Sequence, residues 1–442
     1  MNNKPTDVRV RVPERKQMAM MVSCADDLVP ANHPVRLIWD VVGRLDLAAF
    51  YAPIRARTGV VGRDATDPRL LVALWLYGAT RGVGSARELA RRCTESRPYQ
   101  WLCGGGCAFP GGVSLNHHTL SDFRVGHAAA LDALFTAVIA SLLDKGVIKV
   151  HRISQDGTRV RACAGASSFR REQRLNELLE QAKVHVAELK TLLDDPAKSA
   201  GLSAKQRAAR VRAARRRQAR VEQAIAQLPE LNARQERLKK RVSKKDQANG
   251  KLKEPRASTT DADARVMKMP DGGFRPAVNV QLATDTHSRA IVGVTVVNAG
   301  VDTAQAEPMR NQVEDRTKRK VHEHLLDGGY LVHDEIERAH DQRVTLYVPP
   351  KPPRNTDQRG SEYEPRPEDS DVLRDWRARM GSDDGKAIYK ERAATSETAN
   401  ADLKTHRGLV QLTVRGLAKA TCVALWSALA YNLMHFGPSL LS

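Results

Sequence analysis

Cysteine is scarce: six residues in 442 (Cys24, Cys93, Cys103, Cys107, Cys163 and Cys422), too few for a disulfide-stapled scaffold and consistent with a reduced, intracellular setting. Long apolar runs are missing as well. The most apolar stretch, Ala420 to Phe436, contains Ser427, Asn432 and His435 and falls short of the roughly 20 apolar residues a membrane span needs. It reads as a buried core helix. The N-terminus, MNNKPTDVRVRVPERKQMAMM, has charges where a secretory signal would have its apolar core. Negative charge is in deficit: 51 Asp and Glu against 71 Lys and Arg, a formal net charge of +20. That imbalance points to a polyanionic partner, nucleic acid above all. Nothing in the composition fits collagen or a wholly disordered chain.

The length allows two to four domains. Residues 1–32 lack a period and read as an arm. From His33 the pattern is helical: Pro34 at a helix start, a helix from Asp67 and Pro68, a third after Ser85, and a long fourth from Asn116 to about Gly146. Residues 33–146 therefore read as an all-helical domain. The period then changes. Strands are expected at 147–156, 276–285, 290–298, 322–327 and 344–348, with helices at Thr303–Arg319, Asp334–His340, about Gly385–His406, and Leu417–Phe436. The short polar link THSR makes the second and third strands an antiparallel pair. The order implies a mixed α/β sheet with helical cover, built from 147–169 and 257–442. Residues 349–382, rich in Pro and charge, read as a loop within it.

Residues 170–256 interrupt that order with 24 Lys and Arg against 11 Asp and Glu. Leu175, Leu178, Ala182, Leu189 and Leu192 repeat at coiled-coil spacing, which resumes at Val211, Ala214, Val221, Ile225 and Leu228. This reads as a basic helical hairpin or coiled coil, with Pro229 kinking or breaking its second arm. Arg215, Arg216 and Arg217 lie in an exposed arginine cluster, either a solvated face or a DNA contact.

Three carboxylates stand out. Asp156, in SQDGTRVRA, is placed at the end of the first strand; Asp-Gly is also a common turn pair. Asp327, in HLLDGGYL, ends a later strand and could equally be a turn residue. If those strands are parallel neighbours, both acids project at the strand ends where open α/β sheets bind ligands. Glu397 shares one broad helix face with Tyr389, Arg392 and Lys404, the four spanning about 140° at 100° per residue; an amphipathic surface helix would show the same spacing. Three acids with no nearby His or Cys suit Mg²⁺ or Mn²⁺, and two such ions can serve phosphoryl transfer.

These segments resemble the bacterial insertion-sequence transposases of the DDE type. The likeness runs through HPVRLIWDVVGRLDL, DPRLLVALWLYGATRGVGSARELARRC, NHHTLSDFRVGH, QDGTRVRA, ARVMKMPDGGFRPAVNVQLATD, LLDGGYL, YKERAATSE and RGLAKA. It implies a ribonuclease-H-like catalytic domain, here interrupted by the charged hairpin, with Asp156, Asp327 and Glu397 as catalytic metal ligands. Tyr389, Arg392 and Lys404 match a Tyr–Arg–Glu–Lys signature that binds DNA and transposon ends. The usual form has three residues between Arg and Glu; here there are four, with six between Glu397 and Lys404. The resemblance implies cleavage and strand transfer at the ends of an insertion sequence. It further implies double-stranded DNA partners (terminal inverted repeats and target DNA), a homodimer, and a bacterial cytoplasmic, nucleoid-associated location with no membrane partner. An inactive or domesticated DNA-binding relative, and a non-enzymatic nucleic-acid organiser, are the rival readings.

Other features carry weaker expectations. Residues 85–124 could form a helix-turn-helix, with Arg81, Arg87, Arg91, Arg92 and Arg97 on phosphates and His117, His118 and Arg124 near bases; a packing domain is the alternative. Cys103, Cys107, His117 and His118 form an irregular set for zinc. Asp285 and Asp302 are further acids near strand ends, ranked below Asp327.

Overall fold

The computed structural model describes residues 16, 23–56, 59, 61, 63–106, 109–195, 201–241, 254–353 and 361–442. Most of the expected N-terminal arm, Cys107, and parts of the hairpin and of the 349–382 segment lie outside these residues.

The helical region forms where its caps predict. The His33 ring nitrogen accepts from the Val35 N–H at 3.2 Å, opening Pro34–Arg44. Asp67 caps Pro68–Thr80, and Ser85 caps Ala86–Glu95. The long helix expected after Asn116 is two, His117–Gly126 and Ala128–Asp144, bent by 68°. The break is at His127, which leaves helical geometry at φ −123° while its ring packs on Phe50 and Phe123.

The sheet combines two directions. β1 (Arg152–Arg161) pairs antiparallel with β5 (Phe274–Asp285), and β5 with both β4 (Arg265–Lys268) and β6 (Ile291–Val297). On its other side β1 pairs parallel with β7 (Glu323–Leu325), and β7 with β8 (Thr345–Tyr347). The first strand thus starts five residues later than expected. Val150 adopts φ 60°, which a branched residue resists, and its N–H donates to the Asp285 carboxylate at 2.9 Å. Extended structure begins only beyond that kink. Residues 349–382 also depart from a pure loop: Asp371–Gly381 is a helix capped by Ser370. Leu373, Trp376 and Met380 form its buried stripe, and Trp376 donates to Val348 O at 3.0 Å. Its charged positions hid that stripe in the sequence.

The hairpin leaves the sheet between β1 and β4. Its arms are Glu172–Asp194 and Ala204–Ala226, with Leu228–Arg241 restarting around Pro229. Leu175, Val221, Ala224 and Leu228 pack at its root on Ala257. There β2 (Phe169–Arg170) pairs with β3 (Ala257–Ser258).

Helix Leu417–Leu441 joins the two halves. By length and composition alone it could cross a membrane. Here it packs on the helices Pro34–Arg44, Pro68–Thr80 and Ala128–Asp144 and on β6, within one continuous core. Its polar interruption has a use: buried Asn432 accepts from the Ile291 N–H at 2.9 Å and donates to Ile291 O at 2.8 Å, completing the β6 edge. Asn432→Leu strands both backbone groups in the core, each worth about 1–3 kcal/mol. The expected loss is about 2–4 kcal/mol with secondary structure retained, read from denaturation midpoints and far-ultraviolet circular dichroism; an unchanged midpoint refutes the clamp.

Candidate active site

Parallel pairing places the first two acids together. Ser154 lies opposite Leu325 in the β1–β7 register, so two residues on, the two chains reach Asp156 and Asp327. Asp156 is not at the end of its own strand, as the sequence suggested; it sits inside β1, just beyond the point where β7 ends. The Asp-Gly turn reading fails there, because both residues pair with β5. Asp327 does make a turn: its carboxylate accepts from the Gly329 N–H at 2.8 Å, opening a one-turn helix at Gly328–Tyr330.

The face of β1 that carries Asp156 is covered by the segment bearing the third acid. Ser154 and Ser396 hydroxyls bond at 2.9 Å. Asn400 donates to the Asp156 carboxylate, also at 2.9 Å. The helix expected across 385–406 is interrupted: Asp383–Arg392 and Thr398–Thr405 flank a π-helical turn, Ala393–Glu397. In a regular α-helix, residues five apart point about 140° away from each other. The π turn's wider, i→i+5 geometry brings Arg392 back over Glu397, and the guanidinium donates to its carboxylate at 2.9 Å. The extra residue of the signature is absorbed in this turn.

Arg392 stands among all three acids. It lies 3.8 Å from Asp156, bonds Glu397, and is raised above its ordinary pKa, against burial, by Tyr389, Asp156, Glu397 and Asp327. Burial pushes the Asp156 carboxyl up to about 6; Arg392 opposes the rise and Asp327 adds to it. Burial also raises half-buried Tyr389 and lowers Lys404, the latter against the pull of Asp156. Lys404 lines a cleft of about 380 Å³ with Arg159, Arg161 and Arg275.

The reverse face of β1 holds a buried polar network that the sequence reading missed. Asp302 accepts from the Asn279 and Gln281 side chains, each at 2.7 Å. Gln281 in turn accepts from Tyr330, which follows the Asp327 turn, and so ties that turn to β5. A side chain at Gly157 would collide with this network, its Cβ falling 2.3 Å from both Asp302 and Gln281. Asn279 and Gln281, two amides at alternate positions of an otherwise apolar strand, were the available signal.

Among the described residues, no group of three or more His, Cys, Asp or Glu stands close enough to hold a metal ion: Asp156 and Asp327 adjoin, while Glu397 is turned to Arg392. The donors suit a hard cation in kind, being carboxylates without sulfur or imidazole. Arg215, Arg216 and Arg217 are exposed on the hairpin, apart from these acids. Arg124 does not reach outward as the helix-turn-helix reading required. It is 5% exposed, stacks on Trp75 and bonds Gly84 O and Thr413. Arg91 and Arg92 pair with Glu88. Cys93 and Cys103 are buried free thiols, Cys103 accepting a hydrogen bond from Cys93.

Residues 23–125 match the family described as a transposase domain (DUF772), and residues 351–436, which include Glu397, match the transposase DDE domain. Together the two matches support an insertion-sequence transposase of the DDE type. No curated protein and no solved structure matches it. Asp156 and Asp327 lie outside both matched segments of the transposase, so structure alone links them to Glu397.

Two outcomes follow from this geometry. With its pKa raised from 3.8 to about 6, Asp156 contributes stability in its protonated form, fully present below about pH 4 and lost as pH rises through about 6. Asp156→Asn should remove about 2–3 kcal/mol of the fall in stability between pH 4 and 7.5, measured by urea denaturation without divalent ions; identical pH profiles for the two proteins would falsify the assignment. Deleting Ala394 should convert the π turn to an α turn and keep Arg392 over Glu397 at four-residue spacing. The deletion variant is expected to fold with a melting temperature near that of the parent, and failure to fold means the wider turn is required.

Proposed function

We propose that this transposase cleaves and joins DNA at the ends of its insertion sequence, with Asp156, Asp327 and Glu397 as catalytic residues holding Mg²⁺ or Mn²⁺, two ions in the working complex. The observation that carries the reading is the convergence on one sheet face: two aspartates brought together by parallel pairing, and a glutamate-bearing segment bonded onto that face through Ser396 and Asn400. An antiparallel β1–β5–β6 meander continued by parallel β7 and β8 supports a ribonuclease-H-like architecture.

The bound ions supply activation of water or a 3′-hydroxyl and stabilisation of the leaving oxygen. The chain's own groups do the rest. Asp156, with its pKa near 6, is ionised at neutral pH and ready to bind a cation. Arg392 neutralises the acids in the metal-free protein and competes for Glu397. Tyr389, Arg392 and Lys404 contact backbone phosphates, Lys404 from the basic cleft beside Asp156. The substrates are the terminal inverted repeats and target DNA in duplex form, acted on by a homodimer in the bacterial cytoplasm.

Asp156→Asn, Asp327→Asn and Glu397→Gln are each expected to reduce Mg²⁺-dependent cleavage of a duplex carrying the element's ends by at least about 10³-fold, a barrier increase of about 4 kcal/mol, with end binding retained in a mobility-shift assay. Unchanged activity in all three identifies a DNA-binding relative without this chemistry. Loss of binding together with cleavage makes the acids structural.

A further inference from the structure

Where the hairpin meets the sheet, a cavity of about 470 Å³ is lined by Arg170 and Arg174 from the first arm's root, Arg217 and Arg220 from the second arm, and Arg415 just ahead of the terminal helix. No carboxylate lines it. Of the five, only Arg174 has an ion-pair partner among the described residues, Glu177. The Nε of Arg220 is buried without any partner. Arg220 and Arg415 also line an adjoining cavity that holds Asp261 and Asp263; these two carboxylates accept from the Gly416 and Leu417 N–H groups, opening the terminal helix. Five guanidinium groups facing one space repel each other unless an anion enters, and their planar forks suit phosphate oxygens.

The cavity continues a basic path. The cleft beside the candidate active site holds Lys404, Arg159, Arg161 and Arg275 against one acid, Asp271, which pairs with Arg275. Arg161 is backbone-bonded to Val410 and Leu412, at 3.0 and 2.7 Å, and Arg415 follows three residues later. One small anion would need only one of these cavities; a line of them leading away from Asp156 fits a polymer of phosphates. We propose that the arginine cavity at the hairpin root grips the DNA backbone outside the active site, and that the hairpin's DNA contact is made there by Arg217, Arg220 and Arg415 rather than by the exposed Arg215 and Arg216. This assignment rests on the chain acting on DNA, but not on its cleaving DNA.

The test measures binding of the full-length protein to a plain duplex lacking the element's ends, without divalent metal, across a salt series. Arg217→Ala and Arg415→Ala, both at exposed positions, should each flatten the slope of log affinity against log salt by about one unit, in line with about 0.9 per phosphate contact. Arg220→Lys, which keeps the charge but loses the fork, should preserve the slope and weaken binding. Unchanged slopes in the two alanine variants overturn the proposal. So does a slope change confined to an Arg215→Ala/Arg216→Ala protein, which moves the contact to the exposed band. Equal losses of affinity for polyglutamate would show a general polyanion patch and also overturn it. Because no cleavage is read, an inactive protein leaves these outcomes interpretable; a protein that cleaves normally with unaltered slopes refutes the cavity alone.

Discussion

Parallel pairing between β1 and β7 sets Ser154 opposite Leu325, and the acids two residues further along each chain then have no choice but to be neighbours. Burial is the main reason the Asp156 carboxyl is shifted upward, and the like charge of Asp327 adds to that rise. Arg392 opposes it. A guanidinium shared between Asp156 and Glu397 supplies in the metal-free chain part of the positive charge that divalent ions would bring. The arrangement is therefore balanced between an internal counter-ion and external ones.

Both faces of β1 are needed for this. The acid side is covered through the serine and asparagine bonds to the π-turn segment. The other side is held by the Asp302–Gln281–Tyr330 network, which reaches round to the turn carrying Asp327. Gly157 lets the network approach because it projects nothing into it. Buried, hydrogen-bonded polar groups of this kind fix geometry more than they add stability, which is what a site built from three distant segments requires.

Much of this was legible in the sequence. Pro34 and the caps at Asp67 and Ser85 set helix starts because these signals are local chemistry. The antiparallel β5–β6 pair followed from a short polar link between two branched-residue runs. Asp327 after Leu325 and Leu326, and Glu397 with its Tyr, Arg and Lys companions, marked the segments that the fold brings to the candidate site. What escaped depended on tertiary context. The late start of β1 hinges on Val150 bonding Asp285 across the chain. The π turn appeared only as one residue too many between Arg392 and Glu397. The stripe of Leu373, Trp376 and Met380 was masked by charges on the same helix. Arg124 read as a surface contact because nothing local reveals that Trp75 and Gly84 enclose it.

Helix Leu417–Leu441 has a consequence for biogenesis. It fills the space between the helical half and the sheet, and through Asn432 it finishes β6. During translation, everything upstream emerges from the ribosome with that space open and apolar. Until the segment around residue 432 clears the exit tunnel, the nascent chain has no completed core, so the candidate site reaches its folded geometry only after synthesis has passed that point.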